Sequence, residues 1–386
     1  MRIVQAVFGV FHHFELAREL NRRGHLETIY STFPWQRLKR EGLPHNKVQT
    51  FPWLHVPEFL LQRKGIRAPW LYDQLGYANA LAFDEWTLRR IPPCDAFIAI
   101  SGAGLKTGQF VQRRGGRFIS DRGSTHIRYR ANLLEEEDRR WGISPVTKED
   151  PRDLAREEAI YNAADAITVP STYARRSFIE LGIPAEKIHL LPYGVLLDRF
   201  KKVADPPVDA FEVIYVGRIS LGKGFPYLLQ AFANLRVPKK RLTVIGGVDA
   251  AIKPVLEKLP QEAVTFAGML PQVQLKEWMS RAHVMVMPSL DDGFGMVMNQ
   301  AMACGCPVIA TTNTGAEDLY TDGVEGFIVP IRDPAAIAVR MQQLADDSAL
   351  QARMSEAALA RVHQLGGWQQ YGDGWEYLLQ NLTRKS

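Results

Sequence analysis

The stretch Met287-Pro288-Ser289-Leu290-Asp291-Asp292-Gly293-Phe294-Gly295-Met296-Val297-Met298-Asn299-Gln300-Ala301-Met302-Ala303 decides how this chain is read. The apolar run Ala282 to Met287 before it reads as a buried parallel strand. Gly295 to Ala303 reads as a helix. A strand, a glycine turn and a helix in that order gather free backbone N–H groups and a positive dipole end at one spot, which suits a phosphate. Asp292 stands on the turn, and Gln300 lies five residues into the helix, roughly 7 Å along its axis. One carboxylate and one amide would then stand at the two ends of a diphosphate-sized ligand. The same glycines also suit a plain tight turn onto a core helix.

Upstream, Phe211 to Val216 predicts a strand that ends in Gly217-Arg218-Ile219-Ser220-Leu221-Gly222-Lys223-Gly224, with a helix from about Phe225. Two glycines five apart before a lysine suit a phosphate-cradling P-loop. Against that, Gly224 stands where a metal-binding Ser or Thr belongs, and no later strand ends in a convincing acid for the metal. Arg218 and Lys223 together suit a different task, neutralising a diphosphate without a metal ion. No Asp-x-Asp triplet occurs in the chain.

These motifs resemble those of the family 4 retaining glycosyltransferases. Gly217-Arg218 with Lys223-Gly224 is similar to the family's diphosphate-gripping loop, and Asp292 to Gln300 around Gly293-Phe294-Gly295 is similar to its paired-acid motif. The usual two glutamates are here Asp292 and Gln300, which alters reach at one end and charge at the other. Gly9, His12 and the Gly24-His25 pair resemble the family's opening glycine loop, and Met269-Leu270 resembles the segment that meets the base. The resemblance spans nearly the whole chain, strongest from 160 to 330 and weak from 30 to 150.

The resemblance implies an α/β GT-B fold: two Rossmann-like domains facing a cleft. The expected bounds are 1–200 for an acceptor-binding domain, 201–366 for a nucleotide-sugar domain, and 367–386 for a helix returning to the first. It implies Arg218, Lys223 and Asp292 as catalytic residues, and His126 joins them as an expectation from its place at the carboxyl end of a strand. Gly9, Gly217, Arg218, Lys223, Met269, Leu270, Asp292, Gly293, Phe294, Gly295 and Gln300 would bind the donor. His12, by the resemblance, and Asp121 and Arg122, by their place at the carboxyl end of a strand, would meet the acceptor. It implies a nucleotide sugar as co-substrate, a glycan or lipid-linked acceptor, and neither cofactor nor metal. Two further readings stay open: a catalytically impaired nucleotide-sugar-binding homologue, and a P-loop phosphotransferase.

The first half reads consistently with this. Arg2 to Phe8 predicts a strand, His13 to Arg23 a helix and His25 to Tyr30 a second strand, the opening of a nucleotide-binding α/β domain. Neighbours on a helix diverge by about 100°, so His12 and His13 are not expected to act as a metal pair. Ser101-Gly102-Ala103-Gly104-Leu105-Lys106-Thr107-Gly108 nearly matches a dinucleotide fingerprint, but its last glycine comes one residue late. Asp121-Arg122-Gly123-Ser124-Thr125-His126 follows another strand, where open sheets place their sites, though a salt-bridged loop would read the same. Glu135-Glu136-Glu137-Asp138 reads as a solvated helix face, and Ser171 as a helix cap. Met269 also reads as core filler.

A length of 386 residues exceeds what one core holds, and 46% apolar with 23% charged residues is ordinary for a globular chain. Cys94, Cys304 and Cys306 have neither metal nor redox spacing, which fits a reduced, cytoplasmic setting. No secretory leader or membrane-spanning run is read, and nothing points to nucleic acid. Residues 1–130 hold 20 Lys and Arg against 10 Asp and Glu, so the basic surplus belongs to the first part. In residues 33–70, Trp35, Phe51, Trp53, Leu54, Phe59, Leu60, Leu61 and Trp70 alternate with Arg37, Lys39, Arg40, Arg63, Lys64 and Arg67. That mixture suits an anionic membrane surface at the inner face, or equally a loop whose aromatics are buried.

Overall fold

The computed structural model describes residues 1–53, 69–143, 149–195 and 197–384. Its first sheet has strands β1 (Ile3–Val7), β2 (Leu26–Ser31), β3 (Val48–Thr50), β4 (Ala96–Ile100), β5 (Arg117–Asp121), β6 (Ala166–Val169) and β7 (Ile188–Leu190). They lie in the order β3-β2-β1-β4-β5-β6-β7, every pair parallel. The second sheet has β8 (Phe211–Val216), β9 (Lys240–Ile245), β10 (Val264–Gly268), β11 (Val284–Met287), β12 (Val308–Thr311) and β13 (Gly326–Val329). Its order is β10-β9-β8-β11-β12-β13, again all parallel. Helices cover both faces of a parallel sheet, so its central strands are apolar on both sides, as in Ala-Phe-Ile-Ala-Ile of β4 and Val-Met-Val-Met of β11. This is the GT-B architecture.

Among the described residues, the helices of eight or more residues are α1 (His13–Arg22), α2 (Pro69–Leu88), α3 (Leu105–Arg113), α4 (Ile127–Arg140), α5 (Pro151–Ala163) and α6 (Thr172–Glu180) in the first half. The second half has α7 (Phe225–Ala233), α8 (Gln272–Ser280), α9 (Met296–Ala303), α10 (Pro334–Asp346), α11 (Ser348–Leu365) and α12 (Trp368–Arg384). Helix α12 returns to the first sheet. Trp368, Tyr371, Trp375, Leu378 and Leu379 join a core with Ile3, Val7, Phe14 and Leu20. Arg23 holds it from α1, donating to Glu376 at 2.6 Å and Asp373 at 2.7 Å.

Strand order reverses between β1 and β4 in one sheet and between β8 and β11 in the other. The loops leaving those strands face one another, which is where open α/β sheets leave a crevice.

Helix α4 differs from its expected form. It begins at Ile127, and its acidic run is not a solvated face. Glu137 is fully buried against the second domain. It accepts from Tyr227 Oη at 2.6 Å, Trp141 Nε1 at 2.7 Å and Arg332 Nε at 2.8 Å. Three donors offset the cost of burying that charge. Leu133, Trp141 and Ile143 pack onto the same second-domain core.

Of the aromatics in residues 33–70, Phe51 is buried and Trp35 packs on the first-domain core, while Trp53 and Trp70 are exposed. Leu54, Phe59, Leu60, Leu61, Arg63, Lys64 and Arg67 lie outside the described residues. Among the described residues, no helix is long and apolar enough to cross a membrane.

Candidate active site in the inter-domain cleft

The loop after β8 turns on glycines that the packing requires. A Cβ on Gly224 (φ 63°) would lie 1.8 Å from Pro288 O, so only glycine lets this loop pack against the loop after β11. The two loops then bond through backbone: Leu290 N donates to Gly222 O at 3.0 Å. This brings Lys223 Nζ to 2.5 Å from Asp292 Oδ2. Asp292 Oδ1 accepts from Phe294 N at 3.2 Å, which shapes the turn into α9. Helix α9 starts on Gly295 (φ 78°) without a side-chain cap, so its first amides are left for another acceptor.

Arg218 lies on the same loop, 71% exposed at its side chain and 3.1 Å from Asp249. Arg218, Lys223, Asp292 and Gly293 line a cavity of about 680 Å³, closed on the other side by Ser124 and Arg130 of the first domain. A second cavity of about 770 Å³ adjoins it, lined by His12, Tyr193, Trp368, Phe294, Gly295 and Met296 among others. Both volumes are of small-ligand size. The wall of the first cavity is acidic as well as basic: Asp138, Glu149, Asp150 and Asp153 stand across it from Arg218 and Lys223. Burial and the neighbouring acids push the Asp153 carboxyl up to about 6.

Asp291, beside Asp292, ties the domains together, its Oδ2 lying 3.6 Å from Arg130 Nε at the edge of the same cavity. It is buried, and its Oδ1 accepts from Thr125 at 2.7 Å and Tyr173 at 3.0 Å, both from the first domain. Ser171 Oγ donates to Gly293 O at 2.5 Å while accepting from Ala174 N as the cap of α6. Thr172 bonds Asp318 through its amide at 2.8 Å and its hydroxyl at 2.6 Å.

Two family models match the sequence: "Glycosyl transferase 4-like domain" over residues 12–194 and "Glycosyl transferases group 1" over 198–361. The chain belongs to the family 4 glycosyltransferases. The family match covers both domains and sets aside the P-loop reading. A curated relative, D-inositol 3-phosphate glycosyltransferase of Streptomyces avermitilis, is 36% identical over 205 residues, 47% of this chain and 44% of the relative. The chain spans about half the length of the curated relatives it matches. Sucrose-phosphate synthase of Thermosynechococcus elongatus shares the fold at a TM-score of 0.75 and 22% identity, with 100% of both chains covered. Anabaena HepE, solved in complex with UDP, does so at 0.69 and 18%, covering 99% of this chain and 100% of that one.

Within this family 4 chain, the residues singled out from sequence fall in different places. Gly217, Arg218, Lys223, Asp292, Gly293, Phe294 and Gly295 gather on the two facing loops. Gly9 (φ 75°) donates its amide to Thr32 at 3.0 Å and shapes the loop before His12. Met269 is 83% exposed, not core filler, and lies beside Gly247. Leu270 packs on the second-domain core. Gln300 is half-buried on α9, with no side-chain hydrogen bond among the described residues. Arg122 borders the second cavity, but its guanidinium is held by Glu157 at 2.7 Å. Burial lowers its pKa, and Glu157 more than reverses that.

His126 is not in the cleft. Its ring packs between Tyr161 and Phe178, its Nδ1 accepts from Arg128 N at 3.2 Å, and it caps α4. Burial pushes its pKa down to about 4. Such a ring orders the helix start and offers nothing to a ligand.

His12 and His13 overturn the expectation that they diverge. His12 stands at the N-cap position of α1 without a side-chain capping bond and His13 begins the helix, their ring centroids 4.4 Å apart. Side chains of a first turn lean off the helix end rather than radially, so both reach one neighbouring strand. His12 Nε2 lies 2.8 Å, and His13 Nε2 3.3 Å, from Asp121 Oδ2. Burial opposes ionisation of Asp121, yet the two imidazoles and its hydrogen bonds hold its pKa below the usual carboxylate value.

Sequence reasoning missed the roles of Asp291, Arg130, Tyr193 and Trp368. Asp291 was in view beside Asp292, but which of two adjacent carboxylates faces the cleft is set by the other domain.

Proposed function

We propose that this chain transfers a sugar from a nucleotide-diphosphate donor to a hydroxyl of a glycan or lipid-linked acceptor, with retention at the anomeric carbon and no metal ion on the diphosphate. The observation that carries this is that Lys223 and Arg218 line one cavity with Asp292 and Gly293, while the uncapped start of α9, two residues on, lines the cavity adjoining it. Two cations and a helix N-terminus are what a departing diphosphate needs as its charge grows. The family membership supports the reaction class.

In this reading Lys223 leaves Asp292 for the diphosphate when donor binds. Asp292 then faces the sugar, binding hydroxyls and stabilising positive charge at the anomeric carbon. The bond from that carbon to the diphosphate oxygen breaks as the acceptor oxygen attacks from the same face. A leaving phosphate oxygen takes the acceptor proton. Met269, exposed beside Gly247, is placed for the base, and Gln300 for the ribose diol. A neutral amide bond is worth about 0.5–1.5 kcal/mol against about 1.5–3 for a charged partner, so Gln300 makes a weaker clamp.

The acceptor enters by the cavity lined by His12, Tyr193 and Trp368. A lipid-linked acceptor would place exposed Trp53 and Trp70 toward an anionic membrane at the cytoplasmic face. Flotation with anionic vesicles tests that placement.

Thermal-shift screening of nucleotide sugars, followed by transfer to glycan acceptors, tests the function. A donor at a hundred times its dissociation constant stabilises by about 2.7 kcal/mol. Binding without transfer or hydrolysis would favour an impaired homologue. No stabilisation by any nucleotide sugar would reject both readings.

A further inference from the structure

His13 is wholly buried, and neither ring nitrogen has a hydrogen-bond partner. A buried imidazole with two unpaired nitrogens loses its hydration and regains nothing. Its Nε2 points at Asp121 Oδ2 from 3.3 Å without making a hydrogen bond, and His12 Nε2 meets the same oxygen at 2.8 Å. One ligand atom from each of the three residues can be chosen so that all lie within 4.8 Å of one another. Donors bound tetrahedrally at about 2.0–2.1 Å from an ion stand about 3.3 Å apart. The spacing in this cluster therefore needs small adjustments, not rebuilding.

We infer that His12, His13 and Asp121 form a binding site for a divalent transition-metal ion of the zinc type. Two imidazoles and a carboxylate are the donor set such an ion takes, whereas magnesium and calcium prefer oxygen alone. Coordination through both Nε2 atoms leaves the ring protons on Nδ1. Asp121 is already oriented, since Thr168 donates to its Oδ1 at 2.8 Å. Tyr193 Oη, 3.3 Å from His12 Nε2, is the nearest candidate for a fourth position. His12 and Tyr193 also border the second cavity, so the ion would brace the wall against which an acceptor lies. The site is separate from the diphosphate cations and does not rest on the transfer reading.

The test is the metal content of the full chain, purified without a polyhistidine tag, then zinc titration of the stripped protein against a chromophoric chelator. About one equivalent of zinc per chain is expected, with magnesium unable to displace it. Asp121→Asn keeps volume and His12→Gln keeps a polar side chain, and each should weaken zinc binding roughly tenfold or more. Circular dichroism shows whether each variant is folded. Cobalt substitution should give the visible absorption of a four-coordinate site in the unmodified chain. No zinc uptake by the folded wild-type chain would overturn the inference, as would undiminished uptake in both folded variants.

Discussion

Asp291, on the loop after β11, accepts a hydrogen bond at 2.7 Å from Thr125, which belongs to the other domain. Its neighbour Asp292 turns instead to Lys223. Adjacent carboxylates thus divide the work: one fixes how the domains meet, and the other faces the cleft.

Asp291→Ala leaves the buried Thr125 hydroxyl without its acceptor and leaves Tyr173 only its long 3.4 Å bond to Leu290 O. Each unpaired group costs about 1–3 kcal/mol, so a loss of roughly 2–5 kcal/mol is expected. Denaturant unfolding measures it. Asp292→Ala should be much closer to wild type in stability, because its side chain is partly solvated. Equal losses in the two variants would contradict the division.

Gly293→Ala tests how closely the domains meet. The added Cβ would lie 2.5 Å from Ser124 Cα and 2.6 Å from Gly123 O, both backbone atoms of the first domain. Neither can yield alone, so the cleft must open. A larger radius of gyration by small-angle scattering is expected, with turnover reduced and each domain still folded.

In the proposed reaction, Lys223→Ala and Arg218→Ala remove charge where the leaving group would develop it. Each should lower turnover by about 10²–10³-fold. Lys223→Arg should recover part of the loss. Steady-state kinetics with the donor found by screening checks all three.

His126 gives the fold a pH dependence with a definite sign. Its pKa is about 4 when folded, against an ordinary value of 6.5, so the unfolded chain binds the extra proton between those values. Stability from this group is flat above about pH 6.5 and falls as pH drops toward 4, by roughly 3 kcal/mol at the limit. Asp153, with its raised pKa, works in the opposite direction over part of that window. His126→Asn keeps a capping acceptor and cannot titrate, so its stability should decline less between pH 6.5 and 4.5 than that of wild type.

The parallel sheets and the paired glycine loops were legible because buried strands and phosphate-type turns restrict which residues can occur. Gly224 and Gly295 mark turns on which their backbone takes left-handed values. Contacts between domains were not legible. Glu137 looks like any acid in an acidic run until Tyr227 and Arg332 close on it from far along the chain. Helix α2 has apolar residues spread around it, so the usual one-sided stripe is missing. His12 and His13 misled because helical spacing describes the middle of a helix better than its first turn. His126 misled because a polar residue at a strand's end can serve the next helix instead of the cleft.

The most direct measurement is a crystal structure of the chain with the nucleoside diphosphate of its donor. The diphosphate should lie within reach of Arg218, Lys223 and the first amides of α9, with Lys223 released from Asp292. Diphosphate density elsewhere, with Lys223 still on Asp292 and Arg218 still beside Asp249, would contradict the assigned site.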